Sequence, residues 1–233
     1  MKIREFASRV VRKIAGPFVP KRLRLPFAYR VLLLDGAIEP ELHNVGDLCK
    51  ERHAAIDVGA NMGLWSYRMS LLYPKVYAFE INEGVARDLA AYHSDRIEII
   101  YSGLSSETRE ATLYIPVKDG LALNGWASLR PGNCPDTNEH ITRKVQVRPL
   151  DSYSLRGISF IKIDVEGHEV EVLRGAVETI LASRPVVLVE IMEANMETVR
   201  SFFRGIDYEE VTGEDATIYQ GLLAMRLFRP RQK

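Results

Sequence analysis

The chain has 233 residues, of which 46% are hydrophobic and 27% are charged, and its formal net charge is +0. This composition is typical of one globular domain, and the neutral balance gives no overall attraction to nucleic acid or to a strongly acidic partner. No run approaches the ~18 apolar residues of a membrane span. The sequence also lacks the apolar core of a secretory signal. The two cysteines, Cys49 and Cys134, form no Cys-x-x-Cys pair. We therefore expect a cytoplasmic protein.

The positive charge is concentrated at the start of the chain. Residues 1–30 contain nine Lys or Arg and a single acid, Glu5, so the remaining chain is net negative. Apolar residues recur at helical spacing through the first 16 residues, which predicts a basic amphipathic helix. Residues 2–14 either contact an anionic membrane surface or pack on the domain. Residues 17–30 contain several prolines and are interpreted as a basic connector. We divide the chain into a leader with this connector, residues 1–50, and a main domain, residues 51–233.

From Ala54 onward, short apolar runs alternate with helical stretches. The runs "AAIDVG", "VYAFE" and "IEIIYSGL" predict three strands. Helices are predicted between them, over Leu64–Tyr73 and over "EGVARDLAAYHS". This βαβαβ order is typical of an α/β, Rossmann-like fold with a mostly parallel sheet flanked by helices.

A strand-rich stretch then interrupts the alternation. The segments "ATLYIP", "WASL" and "KVQVRPL" predict strands of an excursion that covers the working edge of the sheet. The alternation resumes with the strand "FIKIDVEG", one helix over Glu169–Arg184 and the strand "VVLVEI". A helix over Met196–Phe203 and a last strand, "LLAMRLF", complete the pattern.

A glycine-containing loop follows the first predicted strand. Gly59 and Gly63 allow a tight turn and close approach to a ligand, and Glu80 ends the second strand, where an acid binds ribose hydroxyls. Asn61 stands where a nicotinamide site has its second glycine, and Asp57 brings a carboxylate that suits an ammonium and a sulfonium better than a pyrophosphate. The loop therefore favours S-adenosylmethionine as the cofactor. The alternative is a tight turn and a solvated strand end without a ligand.

A second group of polar residues, "KIDVEGHE", ends a central strand. Three explanations compete: a catalytic base, a divalent metal site, or acids that stabilise a helix N-terminus. We assign Asp164 a catalytic or cofactor-proximal role and Glu169 a structural one, and we predict no metal. For Glu166 both a catalytic and a structural role stay open, and it is the second candidate for the catalytic base. His168 is interpreted as a surface or cap residue, and Glu190 is a further candidate at the next strand end.

Three aromatic residues lie near these motifs. Trp65 and Tyr67 follow the glycine loop, and core packing of the first helix is the simpler explanation for at least one of them. Trp126 lies in the excursion. An exposed aromatic side chain near the pocket suits stacking on a sugar or contact with a sulfonium.

The runs "IDVGANMG", "VYAFE" and "FIKIDVEGHEVEVLRGA" together resemble the FkbM-type S-adenosylmethionine-dependent methyltransferases, over about Ala54–Glu193. The resemblance implies a seven-strand class I methyltransferase fold and methyl transfer to oxygen. It also implies positions near the cofactor: the loop at Gly59, Asn61 and Gly63, the ribose at Glu80, the adenine at Ser102 and Gly103, and the transferring methyl at Asp164. The polar run "SGLSSETRE" departs from the family pattern.

The acceptor implied by the resemblance is a hydroxyl of a sugar in a polysaccharide or lipo-oligosaccharide, or of a secondary metabolite such as a macrolide. The alternative from another class is a non-catalytic nucleotide-binding subunit of a glycan-assembly complex. A nicotinamide oxidoreductase is disfavoured by the missing glycines, and nucleic-acid methylation by the acidic body. We place acceptor specificity in the excursion around Thr112–Leu150 and in the leader.

Overall fold

A computed structural model describes residues 18–132, 137–212 and 225–231. The predicted leader helix over residues 2–14 lies outside these ranges. The strands are β1 (Ala54–Val58), β2 (Lys75–Phe79), β3 (Ile97–Ile100), β4 (Gly103–Leu104), β5 (Arg109–Lys118), β6 (Leu121–Ala122), β7 (His140–Arg148), β8 (Ile158–Ile163), β9 (Val186–Glu190), β10 (Tyr208–Glu210) and β11 (Met225–Pro230). The α-helices are α1 (Arg24–Asp35), α2 (Pro40–His43), α3 (Val45–Leu48), α4 (Leu64–Ser70), α5 (Arg87–Tyr92), α6 (Glu169–Arg174), α7 (Val177–Ser183) and α8 (Met196–Gly205).

The central sheet has seven strands in the order β10-β11-β9-β8-β1-β2-β3. Its strands are parallel except β11, which runs antiparallel between β9 and β10. All residues of β1 and β8 are buried, because helices cover both faces of the sheet at its centre. The predicted mostly parallel, seven-strand α/β architecture is confirmed. The chain order reverses beside β1, which places the pocket of such a sheet at the carboxyl ends of β1, β2 and β8.

Two hydrophobic cores lie on opposite faces of this sheet. One contains side chains of α1 and α4, among them Leu25, Tyr29 and Trp65. The other contains side chains of α6, α7 and α8, among them Ile180 and Phe203. Trp65 and Tyr67 both belong to the first core, where the Tyr67 ring contacts the rings of Tyr29 and Tyr92 edge to face. The core explanation therefore holds for both aromatic residues that follow the glycine loop.

The excursion forms a second sheet, in the order β4-β7-β5-β6. Its long antiparallel pair joins β5 to β7 from Arg109↔Val147 to Pro116↔His140. The predicted strand over "WASL" is wrong. Residues Asn124–Trp126 form a single 3₁₀ turn instead, and only Ser128 bridges to a strand, at Tyr114. The turn lets this segment fold back toward the central sheet.

The predicted helix over Glu169–Arg184 is also wrong as one element, because it divides into α6 and α7 at Gly175 and Ala176. A Cβ atom at Gly175 would overlap the carbonyl oxygen of Ser105. The glycine therefore permits a close backbone contact with the segment after β4, and the helix bends there. That contact joins residues far apart in the sequence.

The segment interpreted as a connector, residues 17–30, contains most of the first helix. Residues Lys21–Leu23 form a 3₁₀ turn that leads into α1, which packs against α4 and α5. Leu25 and Tyr29 are buried in the first core. Pro26 lies in the first turn of α1, where a missing backbone N–H costs no hydrogen bond. The prolines therefore mark a helix start.

Candidate active site

A pocket opens at the carboxyl ends of β1, β2 and β8. Its empty volume is about 690 Å³, which includes open solvent at its mouth. The predicted site residues that line it are Gly59, Asn61, Glu80, Ser102, Gly103, Asp164 and Glu166. Asp57 and Gly63 do not line it. The structure thus brings the glycine loop and the "KIDVEGHE" segment together at one cavity, because they follow the paired strands β1 and β8.

The glycine loop has a backbone shape that only some residues tolerate. Gly59 has φ 78°, and a Cβ atom there would overlap the carbonyl oxygen of Asp164. Gly63 has φ 98°, and its Cβ would lie 2.7 Å from the Leu89 side chain. Asn61 also has a positive φ, 52°, which asparagine adopts more readily than most residues. Gly59 therefore shapes the pocket floor, while Gly63 serves the packing of α4 against α5.

Glu80 is held rigidly at the end of β2. Its Oε2 accepts a hydrogen bond from the Asn61 N–H at 2.7 Å, and its Oε1 accepts one from the Asn82 N–H at 2.7 Å. Burial raises the pKa of Glu80, and these two N–H groups oppose the rise. A carboxylate has about four lone-pair positions, so each oxygen keeps one for a ligand. Two adjacent hydroxyls of a ribose fit this acceptor pair.

A buried charge cluster lies beneath the glycine loop. Lys162, on β8 beside Asp57 of β1, is 2% exposed, and Asp57 is 0% exposed. The Lys162 Nζ lies 3.5 Å from Asp57 and 3.1 Å from Asp164, and it donates a hydrogen bond to the Gly59 carbonyl oxygen. The Asp57 carboxylate also accepts a hydrogen bond from Ser66 at 2.6 Å. Asp57 therefore points into the protein rather than at a ligand.

The sequence interpretation gave Lys162 no role. Burial alone would lower the pKa of Lys162, but the charges of Asp164 and Asp57 outweigh it and raise the pKa. The ammonium therefore stays charged and fixes the loop carbonyl, Asp57 and Asp164 relative to one another. A lysine inside the apolar run "FIKI" is the signal that could have found it, because a buried lysine almost always has a charged partner.

Asp164 faces the pocket beside a second carboxyl group. Its side chain is 29% exposed. Burial would raise the pKa of Asp164, but Lys162 and a hydrogen bond with Glu190 lower it below its ordinary value. Burial, with the hydrogen bond and charge of Asp164, raises the pKa of Glu190 to about 9. At neutral pH Asp164 is therefore ionised and Glu190 is protonated.

The excursion forms a roof over the pocket. Asn124, Gly125 and Ser128 line the cavity from the side opposite the central sheet. The Asn82 side chain donates a hydrogen bond to Asn124 at 3.0 Å, and the Ser128 hydroxyl donates one to the Glu166 carbonyl oxygen at 2.7 Å. The roof is therefore fixed both to the Glu80 side and to the Asp164 side of the pocket.

His168 and Glu169 are both buried, and their roles differ. His168 lines the pocket, hydrogen-bonds Ser105 at 3.0 Å and is 7% exposed, so it is not a surface residue. It does occupy the N-cap position of α6, as the alternative prediction of a cap residue had it, although its side chain makes no capping hydrogen bond. Burial lowers the pKa of His168 to about 4, which keeps the ring neutral at pH 7. Glu169 accepts hydrogen bonds from the Met192 N–H and the Asn195 amide. It joins α6 to the loop after β9, as a structural residue would.

Comparison with known proteins shows the family and the fold. A family model described as the methyltransferase FkbM domain matches residues 57–210. The solved structure of methyltransferase FkbM from Methylobacillus flagellatus KT is similar, with 16% identity, a TM-score of 0.52, and coverage of 76% of this chain and 43% of that chain. An rRNA methylase from Streptococcus thermophilus has 14% identity and a TM-score of 0.47, over 82% of this chain and 95% of that chain. A search of curated proteins gave no match.

The family match and the Methylobacillus flagellatus structure agree with the topology of the central sheet. The fold is that of class I methyltransferases, and the chain spans less than half the length of the Methylobacillus flagellatus structure. The matched region, 57–210, begins at the end of β1 and ends in β10, and it contains the glycine loop, Glu80 and Asp164. Because the family model for the methyltransferase FkbM domain matches well over half of the sequence, the chain belongs to the FkbM methyltransferase family.

Proposed function

We propose that the protein transfers a methyl group from S-adenosylmethionine to a hydroxyl of a sugar residue, in a polysaccharide, a lipo-oligosaccharide or a glycosylated metabolite. One observation carries the proposal: a rigid carboxylate suited to a ribose, Glu80, and an ionised carboxylate, Asp164, line the same pocket. The first serves cofactor binding and the second serves acid–base chemistry.

The residues present fit S-adenosylmethionine. Glu80 would accept hydrogen bonds from the ribose hydroxyls, and Gly59 leaves room where a side chain would overlap Asp164. Ser102 and Gly103 would lie at the adenine, because they follow β3 on the Glu80 side of the pocket. When bound, the cofactor would supply an activated methyl group to the acceptor oxygen, with S-adenosylhomocysteine as the leaving group.

The protein's part is to align the acceptor and to take its proton. Alignment of two reactants contributes up to about 7–11 kcal/mol to lowering a barrier. Asp164 accepts the proton that the hydroxyl loses, and Lys162 and Glu190 hold the Asp164 carboxylate in place. The roof residues limit water in the pocket. Glu166, which also lines the pocket, is the second candidate for the base.

Trp126 supports a carbohydrate acceptor. It is 46% exposed and belongs to the same 3₁₀ turn as Asn124 and Gly125, which line the pocket. An exposed indole beside a polar pocket offers a flat apolar surface for a sugar ring. The ionised Asp164 in the pocket argues against a non-catalytic nucleotide-binding subunit, because nucleotide binding alone would not need a base there.

We expect Glu80→Ala to lower the affinity for S-adenosylhomocysteine by at least about 10-fold, measured by titration calorimetry. Loss of hydrogen bonds to a charged acceptor costs about 1.5–3 kcal/mol each. The matched control is Glu83→Ala, an exposed acid nearby, which should bind within about twofold of the wild type. No binding by the wild type, or equal binding by Glu80→Ala, would show that the cofactor assignment is incorrect.

We expect loss of the gene to leave a cellular glycan or glycolipid one methyl group lighter in mass spectrometry. With that acceptor, Trp126→Ala should raise KM by about 5- to 10-fold, the effect of losing about 1 kcal/mol or more of aromatic contact, and Trp126→Phe should restore most of it. Leu121→Ala, at an exposed residue of the same excursion, is the control. Glycans unchanged by gene loss, or a macrolide as the only substrate, would contradict the sugar acceptor.

A further inference from the structure

The outer side of α1 carries an apolar stripe. Leu23, in the turn before the helix, and Phe27 and Leu34 within it recur at spacings of four and seven residues, which places them on one side, with the basic Arg30 between the last two. Leu34 is 86% exposed and Leu23 is 47% exposed. The other side of α1 is buried, through Leu25 and Tyr29. Phe27 is half-buried. The described part of the chain therefore covers the inner side of the helix and leaves Leu23 and Leu34 exposed on the outer side.

Neighbouring residues enlarge this stripe into a patch. Phe18, before α1, is 87% exposed, and Leu33 is 38% exposed. We call Phe18, Leu23, Phe27, Leu33 and Leu34 the α1 face. Single exposed apolar side chains are ordinary, but a group of this kind on one short segment marks an interaction surface.

Basic side chains surround the α1 face. Lys21, Arg22 and Arg30 are exposed, and so is Arg87, the first residue of α5, which packs against Lys21–Leu23. The acid that follows it, Asp88, is paired with Arg24 at 3.4 Å, so its charge is offset locally. Asp35 is the acid of α1 itself and ends the helix.

This combination of charge and apolar surface indicates the partner. We propose that the α1 face docks on an anionic lipid bilayer, with its apolar side chains at the headgroup boundary and the basic residues on the headgroups. Each Lys or Arg near an anionic surface strengthens binding about fivefold. Five more basic residues, Lys2, Arg4, Arg9, Arg12 and Lys13, precede the α1 face in the sequence. Stable attachment needs both an apolar and an electrostatic contribution, and this segment supplies both.

Docking would also orient the pocket. Helix α1 packs against α4, which begins directly after the glycine loop. A protein held through α1 therefore turns the face of the central sheet that carries α1 and α4, rather than the face that carries α6, α7 and α8, toward the bilayer. The docking is independent of methyl transfer, because no residue of the α1 face lines the pocket.

The test is flotation of the full chain with vesicles. We expect the wild type to float with vesicles of phosphatidylcholine and phosphatidylglycerol, and not with phosphatidylcholine alone. Raised salt should weaken the binding. Phe18→Gln/Leu34→Gln and, separately, Lys21→Glu/Arg22→Glu should each lower the partition coefficient by at least about tenfold.

Matched controls carry equivalent changes elsewhere. Leu121→Gln/Leu181→Gln alters exposed leucines, one in the excursion and one on α7 at the opposite face of the central sheet. Arg148→Glu/Arg156→Glu makes the same charge change at two other exposed residues. Both control variants should float within about threefold of the wild type.

Three results would overturn the proposal. The first is no flotation of the wild type with the anionic vesicles. The second is equal flotation of all variants, which would assign any binding to residues 1–17 alone. The third is a dimer in sedimentation velocity that Phe18→Gln/Leu34→Gln dissociates, which would assign the α1 face to a second copy of the chain. S-Adenosylhomocysteine binding should be unchanged in every variant. Failure of the membrane-docking proposal is therefore distinguishable from failure of the proposed methyl transfer.

Discussion

Replacing Asp164 by Asn should lower kcat by about 10²- to 10⁴-fold, because the amide accepts no proton from the acceptor hydroxyl. Affinity for S-adenosylhomocysteine should change by less than about threefold, since Glu80 and the glycine loop remain. Single-turnover methyl transfer with a labelled cofactor measures the first effect, and titration calorimetry measures the second. The exposure of the Asp164 side chain lets water replace part of its pairing with Lys162, so the variant should fold.

Two further measurements identify the base. Glu166→Gln is the matched variant at the second candidate, and it should retain kcat within about tenfold of the wild type. Because the pKa of Asp164 lies below its ordinary value, the group stays ionised as pH falls. The wild-type rate should therefore show no acidic limb between about pH 5 and pH 8. Wild-type turnover in Asp164→Asn, or a larger loss in Glu166→Gln, would contradict the assignment.

Replacing Lys162 by Met should lower the free energy of unfolding by about 3–5 kcal/mol, measured by urea denaturation. The change leaves the fully buried Asp57 without its cation, although Ser66 still donates a hydrogen bond. Burial already raises the pKa of Asp57, and loss of Lys162 raises it further. At a pH between the ordinary and the raised pKa, the Asp57 carboxyl group is protonated in the folded variant and ionised in the unfolded chain. The variant should therefore be less destabilised at pH 5 than at pH 8.

An exposed ion pair provides the control for this prediction. Lys75 lies 2.7 Å from Glu98, with side chains 36% and 51% exposed, and Lys75→Met should cost less than about 1 kcal/mol. The double variant Asp57→Asn/Lys162→Met should recover at least half of the loss, because it removes the unpaired charge. If Lys162→Met and Lys75→Met lower the free energy of unfolding equally, the buried charge cluster does not stabilise the glycine loop.

The strands and the glycine loop could be predicted because their signals are local. A strand buried on both faces is an apolar run whatever its neighbours are, so "AAIDVG", "VYAFE", "FIKIDVEG" and "VVLVEI" indicated the parallel sheet. Gly59 is favoured where φ is positive, which is a property of one residue's own backbone. The pocket position then followed from topology, since strand ends in a parallel sheet meet at one edge.

The parts that the sequence did not predict depend on contacts between distant residues. The helix break at Gly175 exists because the Ser105 carbonyl lies against it, and the burial of His168 depends on Ser105 as well. The 3₁₀ turn in place of a "WASL" strand follows from contacts of the roof with Asn82 and Glu166. Neither periodicity nor propensity contains this information.

The sequence by itself determined the layered α/β architecture, the family and the identity of the carboxylates at the strand ends, because each depends on local spacing or on short motifs. Only the tertiary structure decided what those groups do. Asp57 and Asp164 are alike in the sequence, yet one is fully buried and the other faces the pocket, and Lys162 lies between them. The reason is physical: the ionisation and orientation of a carboxylate depend on its burial and on charges that the fold brings to it.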